Sequence, residues 1–153
     1  SGRITDITAG GDFSVTPPFA RIDRNPADIL LDGTGTLWVT SFQDGVIDIS
    51  AGGDLRGATY DAPNDLADPG SICLADHAGT LLVGDEEADQ ILDFTTPAAL
   101  STLPVFATVN RPIGLDYIPQ TGQLLVASEL DDAIDRGADG RCRRLLSRLR
   151  LVV

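Results

Sequence analysis

Residues Pro26 to Phe42 read PADILLDGTGTLWVTSF, and this stretch decides the fold because the rest of the chain repeats it. A proline, which cannot extend a strand ladder, is followed by a short apolar run, a glycine-bearing turn and a second apolar run. This order is typical of a β-hairpin. The stretch therefore predicts two antiparallel strands joined by a turn at residues 32–35.

Two more copies of the hairpin follow at regular spacing. They read PGSICLADHAGTLLVGDEE from Pro69 and PIGLDYIPQTGQLLVASEL from Pro112. The prolines that open the three copies lie 43 residues apart in both intervals. Self-similarity at a fixed period of this length indicates a repeat protein.

Further strand patterns follow each hairpin. Third strands are predicted at residues 45–50, 90–95 and 133–137, and fourth strands at 15–20, 58–60 and 105–109. The stretch GRITDITAGGDF at 2–13 matches GVIDISAGGDL at 45–55, so we expect the chain to begin partway through a unit. Four short strands per unit are typical of a β-propeller blade. An ordinary β-sandwich has no reason to restart its sequence at constant spacing.

We therefore expect an all-β fold built from β-propeller blades of four antiparallel strands. Residues 1–135 form the predicted propeller segment, with units at about 1–20 (partial), 21–60, 61–109 and 110–135 (partial). About three and a half units leave the ring incomplete, since propellers usually have about four to eight blades. Either the chain is a fragment of a longer protein, which we favour, or a second copy completes the ring as a homodimer.

The second strand of each hairpin supplies predicted core residues at two consecutive positions. These are Trp38, Leu82 and Leu125 at the first position, and Val39, Val83 and Val126 at the second. Because successive strand residues point to opposite faces, we expect the two positions to pack against the units on either side. Cys73, between Ile72 and Leu74, is predicted to be a buried free thiol.

Charge is distributed unevenly along the chain. Residues 1–135 carry 22 acidic residues and 5 arginines, whereas residues 136–153 carry six arginines and one aspartate; lysine is absent. Such an acidic body repels phosphate groups, so we expect neither nucleic acid nor an anionic membrane as a partner. The basic tail at 136–153 is either a short amphipathic helix or a non-native end. The acidic bias fits an exported protein, a GC-rich gene or a salty habitat, and we favour an extracellular or periplasmic location.

The loop before the first strand of each hairpin and the loop after the second open at the same end of the sheet, and most carboxylates lie there. The candidate ligand-binding residues at this end are Asn25, Asp44, Asp68, Asn110 and Arg111. Carboxylate oxygens suit Ca²⁺, the one cofactor that this pattern suggests. The candidate metal ligands, which follow the second strands directly, are Asp85, Glu86 and Glu129. The alternative is that these acidic side chains are simply solvated.

The repeated pattern P-x-x-I/L-x-x-x-x-x-G-x-L-x-V, followed by an acidic loop and a strand ending in Asp, resembles the NHL-repeat propellers over residues 2–135. It is also similar to the gluconolactonase/regucalcin group and to virginiamycin B lyase. This resemblance implies ligand sites on one face near a central channel, with a divalent cation in the enzymes. Gluconolactonase-type ligands are a Glu, two Asn or Asp and a further Asp, and Asn25 and Asn110 are their nearest matches by position. The lyases use histidine, whereas the single histidine here, His77, lies in a turn at the other end.

Two functions are compatible with these patterns. The first is a non-catalytic module whose acidic face binds a protein, a carbohydrate or a small cationic ligand. The alternative is part of a lactonase-like, divalent-metal-dependent hydrolase, in which the cation polarises a carbonyl and a carboxylate activates water. The chain contains no GxSxG elbow, Walker loop, GxGxxG opening a helix or CxxC pair, so we lean towards the binding module.

Overall fold

A computed structural model describes residues 2–12, 14, 16–42, 45–58, 66–75, 79–95 and 103–129. In these ranges the regular structure is entirely β, and no helix there is long and apolar enough to cross a membrane. The strands are β1 Gly2–Ile4, β2 Ala20–Ile22, β3 Pro26–Leu31, β4 Leu37–Ser41, β5 Gly45–Asp48, β6 Gly53–Asp54, β7 Pro69–Leu74, β8 Leu81–Asp85, β9 Gln90–Asp93, β10 Val105–Thr108, β11 Pro112–Ile118 and β12 Gln123–Ser128.

The described strands form four small sheets, which we number by their first strands. The first sheet has the order β1-β2-β6, the second β3-β4-β5, the third β7-β8-β9-β10, and the fourth β11-β12. Every pairing among the described strands is antiparallel except that of β2 with β6, which is parallel. The predicted all-β fold of antiparallel sheets is thus confirmed, and none of the four sheets closes on itself within the described ranges.

The same hairpin recurs in the second, third and fourth sheets. Its first strand begins at Pro26, Pro69 or Pro112, and in each copy the register slips directly after the proline. Proline has no N–H to donate, so a bulge at this point sacrifices little of the hydrogen-bond ladder. The paired residues Ile29 and Val39 of the second sheet and Ile72 and Val83 of the third therefore occupy equivalent places in two different sheets, as the repeat predicts.

Asp32 organises the turn of the first hairpin. Its Oδ1 accepts hydrogen bonds from the backbone N–H groups of Thr34 (2.8 Å) and Thr36 (2.9 Å). Its Oδ2 accepts one from Trp38 Nε1 at 2.9 Å. Gly35 follows with φ of 91°, a left-handed conformation that glycine adopts without steric cost. The aspartate therefore ties the turn to the core side chain of β4.

Three buried apolar clusters lie between consecutive sheets. Val39 belongs to the cluster between the first and second sheets, and its neighbour Trp38 packs on the cluster between the second and third. Val83 and Leu82 repeat this division one sheet later. The predicted alternation of these four residues is confirmed, as is the burial of Cys73 as a free thiol. The second and third sheets are thus covered by apolar contacts on both faces.

The outer strands differ in part from prediction. The first unit's outermost strand was expected at 15–20, but β2 lies at Ala20–Ile22, beyond Pro17 and Pro18, which cannot donate to a ladder. The fourth strand expected at 105–109 is confirmed as β10. An unexpected pairing joins β6 to β2, where Gly53 N donates to Phe19 O at 2.8 Å. Residues 59–60, the strand expected at 133–137 and the basic tail at 136–153 lie outside the described residues.

Candidate functional site

The residue before each opening proline meets the residue after the second strand. Phe42 N donates to Asn25 O at 3.2 Å in the second sheet. The equivalent bonds run from Glu86 N to Asp68 O (3.0 Å) and from Glu129 N to Arg111 O (3.0 Å). The two kinds of loop therefore share one end of every hairpin, as predicted from the sequence.

Four charged side chains at this end form what we call the rim cluster: Asp68, Glu86, Arg111 and Glu129. Arg111 Nη1 lies 2.8 Å from Glu129 Oε2. Its Nη2 lies 3.9 Å from Glu86 Oε2, which follows the neighbouring sheet. The Glu129 side chain is 55% exposed but that of Glu86 only 15% exposed, so solvent screens the contact with Glu86 less. The rim cluster thus joins charges from the third and fourth sheets.

The electrostatic surroundings of Glu86 are more negative than positive. Burial raises the pKa of its carboxyl, and the nearby charge of Asp68 raises it further. The guanidinium of Arg111 lowers the pKa, while Glu129 and Asp85 add to the upward shift. Such a carboxylate gains from binding a proton or another cation.

Gly70 makes room for Glu86. A Cβ at position 70 would collide with Glu86 Oε1, so the carboxylate lies across the start of β7 only because that residue is glycine. The equivalent residues in the other hairpins are Ala27 and Ile113. Gly70 was not among the residues predicted from the sequence, although a glycine directly after the proline in one copy of three was the available signal.

Arg111 has an unusual backbone conformation. Its φ is 42°, although a residue before proline normally adopts an extended conformation. Its N–H donates to Asp89 Oδ1 at 2.9 Å, and Val109 N donates to Asp89 O at 3.0 Å. Asp89 also has positive φ, at 57°. These bonds clamp the start of β11 to the turn after β8 and place the guanidinium between Glu86 and Glu129.

Asp85 supports the loops of the rim from within. Its side chain is fully buried. Its carboxylate accepts hydrogen bonds from Ala67 N (2.5 Å), Asp68 N (3.1 Å) and Ala88 N (3.1 Å). These contacts join the segment before β7 to the turn after β8, so Asp85 shapes the loop that carries Asp68 and Glu86.

The predicted metal ligands are only partly brought together. Glu86 and Glu129 meet across Arg111, whereas the Asp85 carboxylate is directed at backbone N–H groups. Within the described ranges, no group of three His, Cys, Asp or Glu side chains is placed to hold a metal ion. The assignment of these three residues to a cation therefore stays a prediction.

The predicted ligand-binding residues have different positions. Asp68 and Arg111 belong to the rim cluster, while Asn25 and Asn110 are exposed, each beside the start of a first strand. Asp44 lies outside the described residues, as does His77. The rim cluster is thus the candidate site, and it lies where the third and fourth sheets meet.

Comparisons with known proteins assign no family to the chain. No protein-family model matches the sequence, and a search of curated proteins finds no significant match. The function is therefore inferred from the residues and their geometry.

Proposed function

We propose that the chain is a β-propeller segment that works as a binding module, with its acidic rim contacting a protein, a carbohydrate or a small cationic ligand. The observation that carries this proposal is the rim cluster, in which two glutamates from consecutive sheets lie on either side of one arginine and the charge of Asp68 acts on one of them, Glu86. The propeller architecture is supported by equivalent hairpins in consecutive sheets with apolar clusters between them.

The charges of the rim cluster favour a ligand with basic groups. Arg111 offsets part of the negative charge around Glu86. The charges of Asp68 and Glu129 leave the surroundings of Glu86 negative on balance. A guanidinium or ammonium group brought to this end would pair with Glu86 and Glu129, whose carboxylates already lie against the guanidinium of Arg111. Complementary charge also accelerates the encounter with such a partner. A protein with a basic segment is therefore the ligand that these contacts favour among the three.

An arginine-rich peptide tests this proposal. Its affinity is measured by calorimetry at about 0.15 M salt, where the Debye length is about 8 Å and distant charges are screened. Glu86→Gln and Glu129→Gln are each expected to weaken binding by roughly tenfold, equivalent to about 1.4 kcal/mol. Glu87→Gln is the matched control, since this exposed neighbour changes the net charge equally. An equal loss in the control would show unspecific attraction and refute the proposed site.

A lactonase-like, metal-dependent hydrolase is the second candidate. It is favoured by the carboxylate of Glu86, a side chain that is only 15% exposed and whose pKa is raised by burial and by Asp68. A divalent cation at this place would polarise a substrate carbonyl, with a carboxylate activating water. Calcium at about 100 times its dissociation constant would stabilise the protein by about 2.7 kcal/mol. A melting temperature unchanged up to millimolar Ca²⁺ would exclude this candidate, and Glu129→Gln should abolish any shift that is seen.

A second copy of the chain is a further proposed partner. Ile29 and Leu31 are 49% and 61% exposed on the face of β3 that is turned away from β7, and Ile113 of β11 is 46% exposed. Covering these side chains would contribute hydrophobic stabilisation to an assembly that completes the ring. Light scattering should then give twice the monomer mass of 16.1 kDa. A monodisperse monomer would exclude the homodimer.

A further inference from the structure

A cavity of about 400 Å³ lies between the first strands of the three hairpins. We call it the inner-strand pocket. Its wall includes the residues four positions after each opening proline: Leu30, Cys73 and Asp116. At about 3.3 Å per strand residue, this level is roughly 13 Å from the rim. The pocket is therefore a separate site, and its role is independent of the function proposed for the rim.

Among the described residues that line the inner-strand pocket, the two that carry charge, Asp28 and Asp116, are both acidic. Asp28 is held between two strands, because its Oδ1 accepts from Ile29 N at 2.8 Å and its Oδ2 from Ile72 N at 3.1 Å. Asp116 Oδ1 accepts from Tyr117 N at 2.9 Å. None of the described residues lining the pocket is basic, and the chain has no lysine. The backbone thus orients two negative charges for which the described wall provides no counter-charge.

The other described residues of the wall are apolar or aromatic, apart from the thiol of Cys73. Cys73 is 5% exposed, and burial, with the charges of Asp116 and Asp28, raises the pKa of its thiol to about 12. The cysteine is therefore a neutral thiol at neutral pH. The other lining residues include leucines of all three strands and the ring of Tyr117. An aromatic side chain next to carboxylates suits a cation that carries hydrocarbon.

We propose that the inner-strand pocket binds a small alkylammonium ligand. Its ammonium group pairs with Asp28 and Asp116, and its hydrocarbon chain lies against Leu30 and Leu115. A bare inorganic cation would leave the apolar wall unused, a neutral ligand would leave the carboxylates unpaired, and an anion would be repelled. The volume falls in the range of small-molecule sites, about 300–1,000 Å³.

Calorimetry with pentylamine tests this inference, with pentanol as the neutral match of similar shape. At about 0.15 M salt, pentylamine should bind with a dissociation constant of about 1 mM or below, and pentanol at least about tenfold more weakly. Asp116→Asn should weaken pentylamine binding about tenfold or more, because an ion pair is lost. Asp12→Asn, at an exposed site outside the pocket, should leave the affinity unchanged. Equal binding of amine and alcohol, an equal loss in both variants, or no binding would overturn the proposal.

Two further variants separate the pocket from other effects. Asp28→Asn should also weaken pentylamine binding. Because Asp28 joins β3 to β7 by accepting a hydrogen bond from Ile72 N, the melting curve of the Asp28→Asn variant is recorded first to show that it folds. If Asp28→Asn does not fold, the affinity of the Asp116→Asn variant for pentylamine is the test, because Asp116 is exposed. The rim variant Glu86→Gln should bind pentylamine with unchanged affinity. A loss of affinity in Glu86→Gln would place the amine at the rim and refute the pocket as its site.

Discussion

The rings of Trp38 and Phe94 pack edge to face, with their centroids 5.5 Å apart and their planes at 84°. Trp38 belongs to β4 in the second sheet, and Phe94 directly follows β9 in the third. Aromatic pairs of this geometry contribute about 0.5–1.5 kcal/mol beyond the area that they bury. The pair therefore joins the two central sheets at the buried cluster between them.

Phe94→Leu should destabilise the fold. Phe94 is fully buried, and leucine leaves part of its space empty and loses the ring contact. Truncation of a core Phe to Ala costs about 3–5 kcal/mol, so the leucine variant should lose about 1–2 kcal/mol of unfolding free energy. Urea unfolding followed by fluorescence of Trp38, the single tryptophan, measures this loss. Phe106→Leu, at a site that is 50% exposed, should change stability by at most about 0.5 kcal/mol.

Asp85→Asn should destabilise the rim loops. The amide group turns one acceptor into a donor that faces backbone N–H groups, so buried hydrogen bonds of Ala67, Asp68 or Ala88 are lost. The expected cost is about 2–4 kcal/mol. Hydrogen exchange at Ala67 and Asp68 should accelerate together with the fall in melting temperature. Exposed Glu87 provides the control, since Glu87→Gln removes the same charge; equal melting temperatures for the two variants would contradict the structural role of Asp85.

Asp32 should make stability depend on acid pH. Burial acts to raise its pKa, but hydrogen bonds from Trp38, Thr34 and Thr36 outweigh it and lower the pKa from 3.8 to about 2. A lowered folded pKa means that the carboxylate stabilises the fold above pH 3.8 and that this contribution is lost as the pH falls to about 2. Asp32→Asn should therefore cost about 1 kcal/mol at pH 7.

The difference in unfolding free energy between wild type and Asp32→Asn should shrink as the pH falls towards 2. Chemical unfolding at a series of pH values, followed by Trp38 fluorescence, measures it. A difference that stays constant with pH would show that the carboxylate charge is not responsible.

Glu86→Gln should have the opposite effect on stability at neutral pH. Because burial and Asp68 raise the pKa of Glu86 above 4.5, its ionisation opposes folding. The favourable protonated form is fully present below pH 4.5, and the benefit is lost as the pH rises through the folded pKa. Glutamine removes that charge, so the variant should melt at a higher temperature than wild type at pH 7, and the gain should fade below pH 4.5. A lower melting temperature at pH 7 would show that the contact with Arg111 outweighs the repulsion.

The sequence reveals the repeated hairpin because its causes are local. Proline at the start of the strand, glycine in the turn and alternating apolar residues act within about twenty positions, and each occurs three times. Sheet stacking follows in part, since Trp38 and Val39 face opposite sides of one strand. The sequence also predicts which end of the sheet carries the candidate site. In antiparallel strands, the start of one strand lies beside the end of the next.

Only the tertiary structure decided how the charges at that end are used. Asp85 and Glu86 are adjacent in sequence and are both predicted metal ligands, yet one accepts backbone hydrogen bonds and the other faces Arg111 of the next sheet. That division depends on the space above Gly70, across the hairpin from Glu86, and on the clamp from Asp89 to Arg111, which joins the third sheet to the fourth. Local patterns specify strands and turns, whereas the pairing of charges depends on distances set by packing between sheets.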